Sequence, residues 1–200
     1  MSSEIKANKI SPATGTAFTL GDSGDTFTIP SGATIANSGT ATGFSSGFVS
    51  YAAICNEQPS GTEGGTFTSG AWRVRDLNTE IADPDGIVSI SSNQFTLGAG
   101  SYLIKWSAIG FRTQRHKSAL YDVTGTAYIN YGDTMWGLTY DGEVSVSSGM
   151  GRVTPSGSNI YEIHHYCETT SATYGLGIAG GSDTGSVPEK YTFVEIYKEA

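Results

Sequence analysis

A chain of 200 residues is long enough for one substantial domain and an appendage. Its net charge of −8 argues against a nucleic-acid binder, which needs a basic footprint for phosphates. No apolar run approaches the ~20 residues of a membrane span and no apolar leader follows Met1, so neither membrane insertion nor export by a signal peptide is expected.

Charged residues make up only 15% of the chain, while 27 glycines and 11 tyrosines accompany abundant Ser and Thr. That bias suits strands and tight turns, because aromatic and β-branched side chains fit a pleated surface and Gly serves turns. Apolar residues at helical spacing never persist beyond about two turns. The expected fold class is therefore all-β.

Residues 1–43 have a grammar of their own. The units TAFTLGDSG, DTFTIPSG and ATIANSG each join a short alternating stretch to a Gly-containing turn. Their apolar positions are Phe18 and Leu20, Phe27 and Ile29, then Ile35. A repeat this short cannot bury its own apolar face, so it must stack on copies of itself. Three chains wound together would supply that surface, which makes residues 1–43 a β-stalk or attachment segment with these five residues as its trimer core. The alternative is a solvated Gly/Ser/Thr linker.

From residue 44 onward the pattern changes to longer strands. FVSYAAIC (48–55) is nearly continuously apolar, TSGAWRVRDL (68–77) follows, and DPDG (83–86) is a turn. IVSI and QFTL lie within 87–97, and SYLIKWSAIGF (101–111) places Tyr102, Ile104, Trp106 and Ala108 on one face. ALYDV, TAYINY, EVSVS, NIYEIHHYC, TYGLGIA and KYTFVEIYK are the later strand candidates. About ten short strands with turn signals between them and no helices indicate a β-sandwich or jelly roll over residues 44–200. The basic cluster Arg112, Arg115, His116 and Lys117 reads as a solvated loop after a strand.

These residues carry a resemblance. The run from Asp85 to Thr126, with Phe95, then Gly98 and Gly100, then Tyr102 and Trp106, resembles the trimeric heads of tumour-necrosis-factor and complement-globular-head type. FRTQRHKSALYDVT, YEIHHYCETT and the closing YTFVEIYKEA are similar to the corresponding parts of marine-phage fibre proteins. The opening segment, SEIKANKISPATGTAF onward, is similar to N-terminal stretches of proteins from the same phages. The resemblance implies a homotrimeric jelly-roll head on a virion, usually in fibres that touch the host.

Signals for chemistry are weaker than their plain structural readings. Gly21-Asp22-Ser23-Gly24 matches a protease nucleophile motif, but every histidine lies far downstream and the sister units PSG and NSG are turns. His164, His165 and Cys167 invite a metal reading, but adjacent histidines on a strand point to opposite faces and only His165 and Cys167 share one. Two ligands are too few for zinc, and although Cys55 or a three-fold axis could add more, a satisfied interior His beside a buried free thiol is simpler. The carboxylate pairs Asp141 with Glu143 and Asp83 with Asp85 sit in turn-like contexts, where turn chemistry explains them. No cofactor, metal or catalytic residue is expected.

The function expected is a non-enzymatic phage virion protein, a fibre or spike contributing to host attachment, or alternatively a capsid decoration or collar component without a receptor role. Its partners would be itself, other virion proteins through the N-terminal segment, and a host-surface glycan or receptor. Tyr131, Trp136 and Tyr140, placed in strand-connecting loops, are the candidate surface-binding residues; burial at the trimer interface is their other reading.

Overall fold

The computed structural model describes residues 12, 14–17, 19–20, 22–26, 28–34, 36, 38, 47–137, 143–181 and 185–200. It divides into two units, Met1–Phe44 and Ser45–Ala200. In the first unit the described residues form turns and no strand. One turn is closed by Asp25 N–H donating to Asp22 O at 3.0 Å, with Asp22 N–H bound to the Asp25 carboxylate at 2.7 Å. Its sister is closed by Ala33 N–H donating to Pro30 O at 3.1 Å. Gly24 and Gly32 carry φ of +97° and +85°, which a side chain would resist. Ser23 of the protease-like motif therefore belongs to a turn. Leu20 and Ile29 are exposed, and Phe18, Phe27 and Ile35 lie outside the described residues.

The second unit is a two-sheet antiparallel jelly roll with no helix among its described residues, as the composition required. Its strands are β1 (Phe48–Gln58), β2 (Arg73–Val74), β3 (Thr79–Ala82), β4 (Val88–Ser91), β5 (Gln94–Leu97) and β6 (Tyr102–Phe111). They continue as β7 (Gln114–Asp122), β8 (Ala127–Gly137), β9 (Val144–Val153), β10 (Asn159–Cys167) and β11 (Glu189–Glu199). One sheet runs β3-β1-β11-β6-β9; the other runs β4-β5-β10-β7-β8, with β2 also paired to β10. The β4–β5 hairpin turns through Ser92 and Asn93 at φ +53° and +65°, the mirror-image geometry that follows strand twist.

Alternation explains the core. Tyr102, Ile104, Trp106 and Ala108 of β6 point inward with Val194 and Ile196 of β11, and meet Leu120, Tyr161, Ile163 and Phe95 from the facing sheet. Gly149 sits opposite Trp106 on β9 because a Cβ there would fall 2.1 Å from the indole.

Three sequence expectations differ from the structure. The basic cluster is no loop after a strand: Arg115, His116 and Lys117 lie on β7, where His116 points inward and is buried. TSGAWRVRDL contributes only the two residues of β2, although Arg75 N–H still donates to Ile163 O of β10 at 2.7 Å while its guanidinium turns into the interior. TYGLGIA is a tucked loop, with Leu176 N–H bound to Gly65 O at 3.1 Å and Gly64 N–H bound to Gly177 O at 2.9 Å. Side chains at Gly64, Gly175 or Gly177 would collide with the opposing segment or with Tyr191.

Candidate functional site

The outer face of the six-stranded sheet carries a continuous aromatic layer. Its formation depends on two irregularities in the pairing of β7 with β8. Arg115 pairs with Trp136 and Lys117 with Thr134; the register then shifts so that Ala119 pairs with Tyr131, and shifts again so that Tyr121 pairs with Tyr128. Strict alternation would send Tyr128 and Tyr131 to opposite faces; the extra residues in β8 bring both outward. Tyr128 and Tyr131 stack at 5.4 Å between ring centroids. Trp72, just before β2, covers Tyr128 at 5.2 Å and both Tyr131 and Tyr166 at 5.9 Å. Ala119 is fully buried although its cross-strand partners face outward, so the small residue of β7 makes room beneath the layer.

Hydrogen bonds hold one end of this layer in place. His164 donates from Nε2 to the Glu162 carboxylate at 2.7 Å and accepts the Tyr128 hydroxyl on Nδ1 at 3.1 Å, while Gln94 donates to Glu162 at 2.7 Å. The ring of Tyr121 stacks on His164 at 4.5 Å. Loss of water at the ring raises the pKa of the Tyr128 phenol, so it remains a neutral donor.

A groove of about 390 Å³ adjoins the layer, lined by Arg115, Lys117, Thr134, Tyr166 and Glu168 together with His116. Arg115 lies 5.0 Å from the Trp136 ring centroid and pairs with Glu168 at 3.2 Å. Lys117 Nζ lies 5.6 Å from the Tyr131 centroid. Each cation thus rests against an aromatic face, a favourable arrangement for both partners.

The outer face of the five-stranded sheet is different in kind. Tyr51 of β1, Phe193 of β11, and Val144, Val146 and Met150 of β9 are exposed apolar side chains, with Phe193 39% and Met150 51% accessible. Lys105 and Glu195 cross the face as a 3.5 Å ion pair, at the edge of a shallow depression of about 410 Å³.

Between the sheets lies a buried polar cluster. Arg75 is buried and makes no ion pair among the described residues; its guanidinium donates to Thr192 Oγ1 at 2.8 Å and to the carbonyls of Ile109, Leu176 and Tyr191. Burial lowers its pKa to about 10. His116 Nδ1 and His165 Nε2 share a 2.8 Å hydrogen bond, and His116 Nε2 bonds Ser145 Oγ at 2.7 Å. His165 Nδ1 has no partner among the described residues. Burial, reinforced by the nearby Arg75 charge, lowers His116 to about 4 and His165 well below its ordinary value. Both imidazoles are thus neutral at physiological pH.

Tyr131 and Trp136 lie on strand β8 and not in loops, and are 49% and 50% exposed; Tyr140 and Asp141 lie outside the described residues. Asp83 spends both carboxylate oxygens on the backbone N–H groups of Ile87 and Val88, at 2.8 and 3.0 Å. Asp85 accepts from the Ser50 hydroxyl. His165 and Cys167 do share the inward face of β10, opposite Ser118 and His116, and Cys55 lies on β1 in the other sheet as a free buried thiol. Among the described residues no group of three or more His, Cys, Asp or Glu is arranged to hold a metal ion. Sequence reasoning missed Trp72, Tyr121, Tyr128 and Tyr166, and weighed His164 only as a metal ligand. The only signal was that His164 and Tyr166 share one face of NIYEIHHYC by alternation; pairing and the register shifts bring in the others.

No protein-family model and no curated protein sequence matches the chain. Solved structures do. The fold is similar to that of Eiger TNF from S. frugiperda, at 12% identity and a TM-score of 0.51 over 78% of this chain and 94% of that one. It is also similar to murine APRIL at pH 5.0, at 8% identity and a TM-score of 0.50 over 74% of this chain and 98% of that one. The PRD1 vertex protein P5 matches at 10% identity and a TM-score of 0.48, over 78% of this chain and all of that one. The second unit of this chain has a jelly-roll fold similar to those of Eiger TNF and murine APRIL.

Proposed function

We propose that the chain is a non-enzymatic structural protein of a phage particle, a homotrimeric fibre or spike head that contributes to host attachment. The observation that carries this reading is the division of labour between the two outer faces. The face with Tyr51, Phe193, Val146 and Met150 presents apolar area that a second copy would remove from water. Three identical chains around one axis close such a surface without leaving an open end. The opposite sheet keeps Tyr131 and Trp136 exposed and firmly seated on cations, as a contact surface requires.

Residues 1–43 would mount the head on other virion proteins, with Leu20 and Ile29 among the stalk positions that meet their symmetry mates. The Asp83 carboxylate is committed to backbone capping, which takes that residue out of acid/base work. The second reading, a capsid decoration or collar protein without a receptor role, also uses the apolar face but gives the aromatic layer no task.

The test is competition. Purified protein added to host cells should reduce adsorption of the phage, and antibody against the head should label fibres or spikes. Unchanged adsorption, with label on the capsid shell, would establish the decoration reading instead.

A further inference from the structure

The groove beside β7 and β10 has a composition that selects among ligands. Arg115 is neutralised by Glu168 and held against Trp136, so its charge is already answered. Lys117 is not: among the described residues no carboxylate lies within ion-pair distance of its ammonium. Tyr131, Trp136 and Tyr166 offer exposed ring area around these two cations, and Thr134 and Glu168 add polar groups at the wall. A volume of about 390 Å³ lies at the small end of the range for ligand sites, roughly 300–1,000 Å³.

We infer that this groove, with the aromatic layer beside it, binds an oligosaccharide that carries an isolated carboxylate, and that Lys117 is the anchor of the acid group. The C–H face of a pyranose ring is flat and apolar and stacks on an exposed indole or phenol, while its hydroxyls need polar partners such as Thr134 and Glu168. A neutral sugar would strip water from the Lys117 ammonium and return no charge, whereas a carboxylate forms a charge-assisted hydrogen bond. A nucleic acid also stacks on aromatic rings, but a phosphate at every residue meets one unanswered cation on a protein of net charge −8. The layer is held in advance by Tyr128, His164 and Glu162, so ordering costs on binding are small. The inference deepens the attachment reading and rests on it for the biological source of the sugar; the chemistry of the groove is testable separately.

The experiment uses the whole 200-residue chain and follows tryptophan fluorescence and NMR shifts with four probes. These are 3′-sialyllactose, a hyaluronan tetrasaccharide, lactose, and the methyl ester of 3′-sialyllactose, with a ten-residue oligothymidylate as the polyanion control. At least one of the two acids should bind, and the neutral sugars at least tenfold more weakly. Lys117→Ala should weaken acid binding roughly tenfold, as loss of one charge-assisted hydrogen bond does. Trp136→Ala, at an exposed position, should diminish the fluorescence response, leaving what Trp72 of the layer contributes, and reduce affinity with the fold intact. Equal binding of acid and ester, indifference to Lys117→Ala, preference for oligothymidylate, or failure of both acids at millimolar concentration would each overturn the inference. Protein that blocks phage adsorption yet binds neither acid would overturn the groove assignment and leave attachment standing. Protein that binds an acid through Lys117 yet never competes for adsorption would do the reverse.

Discussion

The Trp106 indole on β6 donates its N–H across the sandwich to the Ser118 hydroxyl on β7, at 2.8 Å. Ser118 Oγ also lies 2.8 Å from Ser147 Oγ, whose oxygen in turn receives the Ser118 N–H at 2.8 Å. One hydroxyl thus joins three strands from two sheets at the centre of the core, where the indole would otherwise be an unpaired donor.

Ser118→Ala should therefore cost about 1–3 kcal/mol, the penalty for stranding a buried donor. Gly149→Ala should be worse, because the new methyl occupies the indole's place and both sheets must part to admit it. Urea denaturation followed by tryptophan fluorescence measures both. Wild-type midpoints for either variant would show that the Trp106 contact is not a fastening of the sandwich.

Acid should loosen the head. His116 titrates at about 4 in the folded protein against an ordinary value of 6.5, so the unfolded chain takes up its proton first as pH falls. Stability from this group is complete above pH 6.5 and declines through the interval down to about 4, with no further loss below it. Between pH 7 and pH 5 stability should therefore fall, because the unfolded chain binds a proton at this imidazole that the folded chain does not. His165, lowered in the same direction, adds to it. Chemical denaturation at both pH values should show the decline, and His116→Asn should make it shallower. A flat profile would mean that the pair is solvated.

How much of this was readable beforehand depends on the residue. Tyr102, Ile104, Trp106 and Ala108 announced their face by strict alternation, and the structure has all four inside. The same period of two is present in Arg115, His116, Lys117 and Ser118, but the charges drew attention to solvent and hid a strand with one face buried. Arg75 was illegible because its burial depends on carbonyls from Ile109, Leu176 and Tyr191, all distant in sequence. Tyr131 and Trp136 stood out as surface aromatics, while Trp72 and Tyr128 did not. The two register shifts between β7 and β8 that unite them leave no local mark.

Deletion of residues 1–43 should leave a folded head. Among the described residues, all fifteen of the main core cluster come from the second unit, so the truncated chain is expected to keep its sandwich. Circular dichroism should retain its β signature, and the truncated protein should no longer join particles. Loss of β structure on truncation would show that the segment completes the fold and does not merely mount it.

The central claim is that the face bearing Phe193 and Met150 is where identical chains meet. Light scattering on the purified protein tests it most directly, with Phe193→Asp as the companion variant. Wild-type protein should give three times the 20.9 kDa chain mass, and Phe193→Asp should give a folded monomer, because a charge at that outward position cannot be buried without a partner. A wild-type monomer at micromolar concentration, or a trimer that Phe193→Asp leaves intact, would contradict the account.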